Sequence, residues 1–442
     1  MIKLYDYQEK QVQDGLNGKN INLSDVGTGK TFVGLELFKK LRETKGYNKL
    51  LIICLASKVS DFASDGSQVG LHINTLDKGS KRSNEQIEAN QNELEQFYSV
   101  SFESSWRIEA LKQFVDSKTM ILIDESHKLK SRTSKVGFYV KELSQKAGFT
   151  YQMTATPITN GHYDEWFMQL AIAGVIPDNW KAFERKYCVM ELQSIKVKGQ
   201  TRYFNEIVDY KNTEELDSMI TASAVYKERI LAEHMQPVFI DYYVKRPTMY
   251  NKIAKQRVLQ LDNGEIKEYD SVSSVYHAQR QLASGAISGI NKVVKKDKIE
   301  RVRDILKSAE SERVTIFYNY NSDLYLLKEV CTKEERPYSC YNGSDHDLSN
   351  FKANDNGVAL VQYKSGATGK NDFVISSVGI FFSLPDGSST YIQAVGRLNR
   401  IGQTKQPILY NLICEKSVES KVMDCINNGV DITEDMKASL ID

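Results

Sequence analysis

Short runs of apolar residues that end in polar residues recur in two parts of this sequence. Residues 50–55 and 119–123 are such runs in the first part, and residues 314–318, 358–361 and 378–382 are such runs in the second. A run without alternation is typical of a strand that is buried on both faces, as in a parallel sheet covered by helices. The pattern therefore predicts an α/β protein with two doubly wound parallel sheets.

The same rhythm divides the chain into three segments. We predict a first domain over residues 1–170, a mainly helical connecting insertion over 171–296, and a second domain over 297–442. Inside the insertion, residues 196–204 indicate a hairpin that turns at Lys198 and Gly199, and residues 271–290 indicate a helix. A length of 442 residues is sufficient for two or three domains, each with its own core.

A glycine-rich stretch, SDVGTGKT at residues 24–31, lies between the end of a short strand and the start of a helix. Such a turn directs backbone N–H groups into one small volume at the positive end of a helix dipole, which favours a phosphate chain. Lys30 is placed to reach the β- and γ-phosphates, and the Thr31 hydroxyl is placed to hold Mg²⁺. Ser24 stands where the common pattern has glycine. The alternative is an ordinary glycine-containing turn.

Further polar clusters follow the predicted strands of the first domain, at residues 56–61, 124–127 and 154–157. Ligands of parallel sheets bind at the carboxyl ends of the strands, so these clusters predict a site. Asp124 suits a carboxylate that holds Mg²⁺, and Glu125 suits a group that orients the attacking water. A solvated acidic turn is the alternative for this pair. Thr154 and Thr156 either sense the γ-phosphate or cap the next helix.

A basic cluster lies far along the chain, in QAVGRLNRIGQ at residues 393–403. On a helix, Gln393, Arg397 and Arg400 share one face, because they are spaced by four and three residues. Two guanidinium groups on one face can stabilise the charge of a transferring phosphoryl group. The alternative is a basic helix face in contact with water.

Composition narrows the class of protein. The net charge of +1 excludes a uniformly basic nucleic-acid coat, and the six cysteines include no C-x-x-C pair, so a zinc site or a disulfide framework is disfavoured. The first residues lack the apolar core of a signal peptide, and no run approaches the roughly 18 apolar residues of a membrane span. We therefore expect a soluble cytoplasmic protein.

The motifs SDVGTGKT, DESH, TATP and QAVGRLNRIGQ stand in this order along the chain. The set resembles the superfamily 2 helicases and, among them, the SWI/SNF-type ATPases, whose last motif ends in RIGQ. The resemblance covers most of the chain and implies two RecA-like domains with ATP in the cleft between them. Residues 226–229 and 386–389 depart from the family pattern, and no accessory module fits the length. A compact motor of the bacteriophage or bacterial kind is therefore the closest match.

The resemblance also implies roles for individual residues. Those implied for catalysis are Lys30, Asp124, Glu125, Arg397 and Arg400. Those implied for ATP are Gln8, Gly27, Thr28, Gly29, Lys30, Thr31 and Gln393, with Thr31 and Asp124 on Mg²⁺. Those implied for the nucleic-acid backbone are Ser57, Lys58 and Thr368. Those implied for coupling ATP to the nucleic acid are Thr154, Thr156 and Gly369.

The function expected from this resemblance is an ATP-dependent DNA motor, a monomer that acts on duplex DNA, with single-stranded or branched DNA as alternatives. Translocation is favoured over strand separation, because no hairpin in the sequence indicates a wedge. A strand-separating helicase, a nucleotide-gated DNA-binding switch and a P-loop kinase are the rival interpretations. Two basic patches are candidates for DNA phosphates, or else are solvated faces: Lys128, Lys130, Arg132 and Lys135, and Lys292, Lys295, Lys296 and Lys298.

Overall fold

A parallel sheet that is buried on both faces organises each half of the chain. The computed structural model describes residues 3–197, 200–228, 236–260, 266–287, 295–366, 372–400 and 402–441. These residues divide into two units, Met1–Arg229 and Ile230–Asp442. Both large sheets contain only parallel pairs, with helices on their faces, which confirms the predicted fold class.

The first unit contains a seven-stranded sheet in the order β3-β4-β2-β5-β6-β1-β9 and a separate hairpin of β7 and β8. Its strands are β1 Ile21–Asn22, β2 Lys49–Cys54, β3 Asn74–Thr75, β4 Gln96–Ser101, β5 Thr119–Asp124, β6 Phe149–Met153, β7 Cys188–Val197, β8 Gln200–Tyr210 and β9 Ala224–Val225. Its helices are α1 Asp6–Leu16, α2 Lys30–Lys45, α3 Val59–Gln68, α4 Ser80–Ala89, α5 Phe102–Ser105, α6 Leu111–Phe114, α7 Lys135–Lys146, α8 Trp166–Ile172, α9 Trp180–Tyr187 and α10 Thr213–Ser223.

The second unit contains a six-stranded sheet in the order β10-β17-β16-β13-β15-β14 and a short pair of β11 and β12. Its strands are β10 Val238–Val244, β11 Val258–Gln260, β12 Ile266–Glu268, β13 Val314–Tyr318, β14 Tyr338–Tyr341, β15 Val358–Gln362, β16 Val378–Phe381 and β17 Ile408–Cys414. Its helices are α11 Tyr250–Gln256, α12 Val272–Ser284, α13 Asp297–Ser308, α14 Asn321–Lys333, α15 Ser349–Ala353, α16 Tyr363–Gly366, α17 Ser388–Leu398, α18 Val418–Asn427 and α19 Lys437–Leu440.

The apolar runs account for the central strands. Each run predicted from the sequence forms a strand, and its side chains are buried whichever face they point to, as the 50–54 segment of β2 shows with no measurable exposure. Because both faces of these strands are covered, successive residues must all be apolar. Four helices are preceded by a capping residue whose side chain accepts a backbone N–H of the first turn. These residues are Ser134 before α7, Asn179 before α9, Ser271 before α12 and Ser417 before α18.

In the described part of the segment between the two predicted domains, six strands, β7 to β12, stand beside four complete helices, α9 to α12. Its first part contributes β9 to the sheet of the first unit, and its last part contributes β10 to the sheet of the second. The predicted hairpin is present as β7 and β8, which pair over ten residues of β7, although its turn at Lys198 and Gly199 lies outside the described residues. The predicted helix at 271–290 is α12 and ends at Ser284, before Gly285 in a left-handed conformation.

A fully buried ion pair ties four elements of the second unit together. Lys298 of α13 lies 2.7 Å from both carboxylate oxygens of Glu419 in α18, and each side chain is 1% exposed. The ammonium also donates to the Phe382 carbonyl at 2.7 Å, and the carboxylate accepts the Cys414 N–H at 2.8 Å. Phe382 and Cys414 stand at the carboxyl ends of β16 and β17. The prediction that Lys298 belongs to a DNA-binding patch is therefore wrong.

Lys298→Met should destabilise the second unit by about 3–5 kcal/mol, because the Glu419 carboxylate is left buried without its counter-ion. Urea-dependent hydrogen exchange of peptides from β13 and β15 measures this free energy of unfolding. Arg301→Met is the matched control on the same helix, since Arg301 forms an exposed pair with Asp304 and its loss should cost under about 1 kcal/mol. Similar losses in both variants would show that the buried pair contributes no more than a surface pair.

Candidate nucleotide-binding site

The glycine-rich loop follows β1 and leads directly into α2. Gly27 and Gly29 have φ angles of 81° and 76°, in the left-handed region that glycine adopts without strain. A Cβ atom at Gly29 would also lie 2.3 Å from the Gln8 side-chain nitrogen. The left-handed conformation therefore favours glycine at this position, where a Cβ would also displace the end of the Gln8 side chain, and the loop keeps the tight turn that a phosphate cradle needs.

Lys30, the first residue of α2, folds back over this loop. Its Nζ donates to the Ser24 carbonyl at 2.7 Å and to the Asp25 carbonyl at 3.0 Å. The Thr28 hydroxyl donates to the same Asp25 carbonyl at 2.8 Å. The loop carbonyls thus hold the ammonium group at the cradle, where its charge favours an anion.

Helix α1 holds the far side of the loop. Gln8 is buried; its Nε2 donates to the Thr28 carbonyl at 3.0 Å and its Oε1 accepts the Tyr5 N–H at 3.0 Å. The Tyr7 hydroxyl donates to the same Thr28 carbonyl at 2.9 Å. The contact of Gln8 with adenine stays a prediction, and the structure adds a direct contact between this residue and the phosphate loop.

A buried polar network beneath the loop explains the serine that replaces glycine in the motif. Gln11 Nε2 donates to Ser24 Oγ at 2.8 Å, and the Ser24 N–H donates to Asn22 Oδ1 at 3.0 Å. Asn22 Nδ2 in turn donates to Gln11 Oε1 at 3.3 Å and to the Tyr151 hydroxyl at 3.2 Å. Sequence reasoning missed this network. A glutamine three residues after Gln8, on the same helix face, was the available signal.

The acidic motif stands at the same edge of the sheet. Asp124 ends β5 opposite Met153 of β6, and Met153 also lies opposite Asn22 of β1. Neighbouring strands are about 5 Å apart, so the register brings Asp124 and the start of the loop to one edge. Glu125 follows in the left-handed region, with a φ of 56°, so the chain turns sharply after the strand.

His127 links the acidic motif to the threonine motif. Its Nδ1 lies 3.2 Å from Glu125 Oε2 and 3.0 Å from Thr154 Oγ1. Thr154 Oγ1 also accepts the Thr156 N–H at 3.1 Å, so the loop after β6 is held by its own first residue. The His127 side chain therefore connects Glu125 directly to Thr154.

The donor atoms at this edge suit Mg²⁺. A hydroxyl from Thr31 and a carboxylate from Asp124 are hard oxygen ligands, and Mg²⁺ typically takes one or two protein ligands and fills its other positions with phosphate and water. Among the residues that the structure describes, no group of three histidine, cysteine or carboxylate side chains could hold a metal ion by itself. A phosphate-bound Mg²⁺ therefore fits these residues better than a protein-enclosed metal.

The residues predicted to contact nucleic acid stand in different surroundings, and the contacts of Ser57, Lys58 and Thr368 stay predictions. Ser57 and Lys58 lie in a short 3₁₀ turn, Ala56–Lys58, at the carboxyl end of β2, and Lys58 is 3.6 Å from Asp61. Lys130 pairs with Glu165 at 2.8 Å and contacts the Thr159 hydroxyl, so it binds its own domain. Lys295 pairs with Asp297 at 2.9 Å. Thr368, Gly369 and Lys292 lie outside the described residues.

In the second unit, α17 carries Gln393 and Arg397, both buried, at 7% and 8% exposure. The helix ends at Leu398, since Asn399 has a ψ of 85°. Arg400 thus follows the helix instead of lying on it. The prediction that all three residues share one helix face is wrong for Arg400, because a change of backbone conformation precedes it.

Side chains of α12 bind residues 386–389, which depart from the family pattern. Arg280 is fully buried and donates to the Asp386 carboxylate and to the Leu384 carbonyl, and the Tyr276 hydroxyl donates to Asp386 at 2.9 Å. Burial opposes ionisation of Asp386, but the Arg280 guanidinium, the Tyr276 hydrogen bond and the nearby His277 and Lys437 together outweigh it, so the pKa of Asp386 lies below its ordinary value. Arg280 therefore fixes the loop that leads into α17.

Asp323, in the first turn of α14, is a fully buried carboxyl group beside the carboxyl end of β13. Asp323 accepts the Ser383 hydroxyl at 2.7 Å and the Tyr320 N–H at 3.1 Å. Burial raises the pKa of Asp323 to about 6, against an ordinary value of 3.8. This group therefore takes up a proton in the folded protein at a pH at which the unfolded chain has lost it.

Two family profiles match the chain. The profile described as "Type III restriction enzyme, res subunit" matches residues 1–159, which contain the phosphate loop and the acidic motif. The profile described as "Helicase conserved C-terminal domain" matches residues 297–402, which contain α17 and its arginines. Between them the two profiles contain most of the strands of both large sheets.

Several curated proteins are similar to this chain. An uncharacterized ATP-dependent helicase of Mycoplasma genitalium is 20% identical over an alignment of 434 residues. The alignment covers 93% of this chain and 39% of that protein. An uncharacterized ATP-dependent helicase of Bacillus subtilis, YqhH, is 22% identical over 98% of this chain and 79% of that protein. The DNA repair and recombination protein RDH54 of Saccharomyces cerevisiae is 22% identical over 74% of this chain and 38% of that protein.

Among solved structures, a Sulfolobus solfataricus SWI2/SNF2 ATPase core in complex with double-stranded DNA aligns with 100% of this chain and 93% of its own length. The sequence identity is 20% and the TM-score is 0.45, a likeness that adds no argument to the profile matches. This chain spans well under half of the Mycoplasma and yeast relatives, at 39% and 38% of their lengths.

Gln11→Ala should raise the KM for ATP about fivefold and change kcat less than twofold, because it removes the hydrogen bond to Ser24, worth about 1 kcal/mol, that anchors the loop, together with the one that Gln11 accepts from Asn22. Steady-state ATP hydrolysis measures both constants. Gln13→Ala is the matched control, since Gln13 is exposed on the same helix. An unchanged KM together with a lowered melting temperature would make the network purely structural.

The Asp323 carboxyl should make the second unit less stable as pH rises from about 4 to about 6. Its folded pKa lies above its unfolded pKa, so its stabilising contribution is complete below about 4 and is lost as pH passes the folded value, a loss of about 3 kcal/mol. Asp323→Asn should remove this slope, and Asp304→Asn on the exposed part of α13 should leave it. Hydrogen exchange of β13 peptides across this pH range provides the measurement. A slope that persists in Asp323→Asn assigns it to another group.

Proposed function

We propose that this chain is a superfamily 2 motor of the SWI/SNF-like type, driven by ATP and moving along duplex DNA; its two profile matches and its ATP-dependent helicase relatives support this. One observation carries the proposal. The phosphate loop, the acidic motif and the threonine motif meet at one edge of the first sheet, in neighbouring strands. Each motif alone has a structural alternative, but a shared edge gives all three a common ligand.

The proposed division of labour follows the side-chain chemistry. Lys30 neutralises the β- and γ-phosphates, which it can do because the loop already holds its ammonium group at the cradle. Thr31 and Asp124 hold Mg²⁺, which when bound neutralises charge on the phosphates. Glu125 orients the attacking water and accepts its proton. Gln8 and Gln393 contact the nucleotide.

Coupling is proposed to run from Glu125 through His127 to Thr154, because one imidazole touches both side chains. Thr156 and Gly369 are proposed to take part in the same coupling of ATP to the nucleic acid. Arg397, on α17, and Arg400, beyond its end, supply positive charge to the transferring phosphoryl group.

Duplex DNA is the proposed track. A motor that steps along any sequence must grip phosphates rather than base edges, and Ser57, Lys58 and Thr368 are the proposed grips. The name of the yeast relative, a DNA repair and recombination protein, agrees with DNA as the polymer. Strand separation is the second candidate, and the long hairpin of β7 and β8, with its exposed aromatic side chains, favours it.

ATP hydrolysis should be stimulated by DNA, and plain duplex should stimulate it more than single strands, forks or RNA, because duplex is the proposed track. Steady-state phosphate release with each polymer and with none measures this. Stimulation restricted to single strands or forks would replace translocation with strand separation. No response to any polymer would contradict the motor.

Three variants show which residues carry the turnover. Lys30→Ala and Glu125→Gln should each abolish hydrolysis, and Glu125→Gln should retain ATP binding, since its amide leaves the phosphate loop intact. Arg400→Ala should lower DNA-stimulated turnover by at least about 100-fold. If Arg400→Ala leaves turnover unchanged while Lys30→Ala abolishes hydrolysis, Arg400 takes no part in catalysis and the proposed role of the second unit is wrong.

A further inference from the structure

The hairpin of β7 and β8 carries an unusual share of exposed apolar surface. Near its base, Met190 and Ile207 pack against the core of the first unit. Farther along, Leu192 is 68% exposed, Tyr203 70% and Phe204 46%. With Val208, these make four of the eight large apolar side chains described as exposed in this unit. Exposed apolar groups concentrated on one element indicate a binding surface.

A groove of about 540 Å³ lies between this hairpin and α9. Its walls include Arg132, Trp180, Phe204, Asn205 and Tyr210. A groove of this volume is large enough for a nucleobase with its sugar. None of these residues belongs to the helicase motifs, so the groove is distinct from the nucleotide site.

The aromatic walls of the groove are held in place. Trp180 Nε1 donates to Glu184 at 3.0 Å, and the Tyr210 hydroxyl donates to Asp164. Glu184 and Asp164 therefore orient rings, and Glu206 is the third acidic side chain of the lining. The Arg132 guanidinium lies 4.4 Å from the centroid of the Trp180 ring, in cation–π contact.

The charges favour a nucleic acid over a protein. Arg132 forms no ion pair with any residue that the structure describes, so its guanidinium retains N–H groups for a phosphate. An aromatic wall beside a positive charge is the arrangement by which proteins bind single strands, with bases on rings and phosphates on cations.

We propose that this groove binds an unpaired base of single-stranded DNA, with the base against Phe204 and the adjacent phosphate on Arg132. The proposal rests on the DNA motor proposed above and gives it a contact to single-stranded DNA, the product of the second candidate function, strand separation. Duplex cannot use this contact, because its bases are stacked on each other. A docking surface for a protein is the rival.

Binding of an oligothymidine and of a blunt duplex to the full chain, without nucleotide, tests the groove. Phe204→Ala should weaken oligothymidine binding about tenfold and duplex binding less than twofold, as expected for the loss of one base-stacking contact. Phe138→Ala is the matched control, because Phe138 is 50% exposed on α7, away from the groove. Fluorescence anisotropy measures both affinities.

Salt dependence separates the two proposed contacts. Arg132→Gln should reduce the slope of log affinity against log salt for the oligothymidine by about 0.7, the value for one phosphate of a single strand, and Phe204→Ala should leave that slope unchanged. Photo-cross-linking of 5-iododeoxyuridine in the oligonucleotide should label peptides from β8 or α9.

Unchanged oligothymidine affinity in Phe204→Ala overturns the proposal and leaves the groove to a protein partner. Equal losses on single strand and duplex also overturn it, since they indicate a general grip. Cross-links confined to peptides around Ser57 would do the same. Because these measurements use no ATP, failure of the motor appears separately, as hydrolysis that no DNA stimulates while cross-linking at β8 persists.

Discussion

The parallel pairing of β1, β6 and β5 is the constraint on which the proposed site depends. Met153 stands opposite both Asn22 and Asp124, so this one register brings the phosphate loop, the threonine motif and the acidic motif to the same edge. A shift of one residue would turn alternate side chains to the other face and break this alignment. The buried apolar side chains on both faces of the strands hold the register.

Buried polar networks then shape the loops that follow the strands. Gln11 reaches Ser24 beneath the phosphate loop, Lys298 joins α13 to Glu419, and Arg280 holds the loop around Asp386. Each network satisfies groups that burial would otherwise penalise, so each loop has one low-energy arrangement. The phosphate loop of the first unit is therefore supported by residues outside the proposed chemistry, and the other two networks support loops of the second unit.

Fold and motif positions could be predicted because local patterns specify them. The run at 119–123 reads as a buried strand wherever it stands, and GTGKT between a strand and a helix reads as a phosphate loop. The prediction that Arg400 lies on a helix was wrong, since helix ends depend on backbone angles that a spacing argument does not include. The prediction that Lys298 belongs to a surface patch is also wrong, because a single sequence does not show which lysine has a buried partner.

By itself, the sequence determined two parallel-sheet domains, the order of the helicase motifs and the residue types of the ATP site, since these depend on short-range periodicity and on motif chemistry. Only the tertiary structure decided that Ser24 is bound by Gln11, that His127 joins Glu125 to Thr154, and that β8 and α9 enclose a groove. The physical reason is that these contacts join residues distant in sequence, and packing of the whole domain sets their distances.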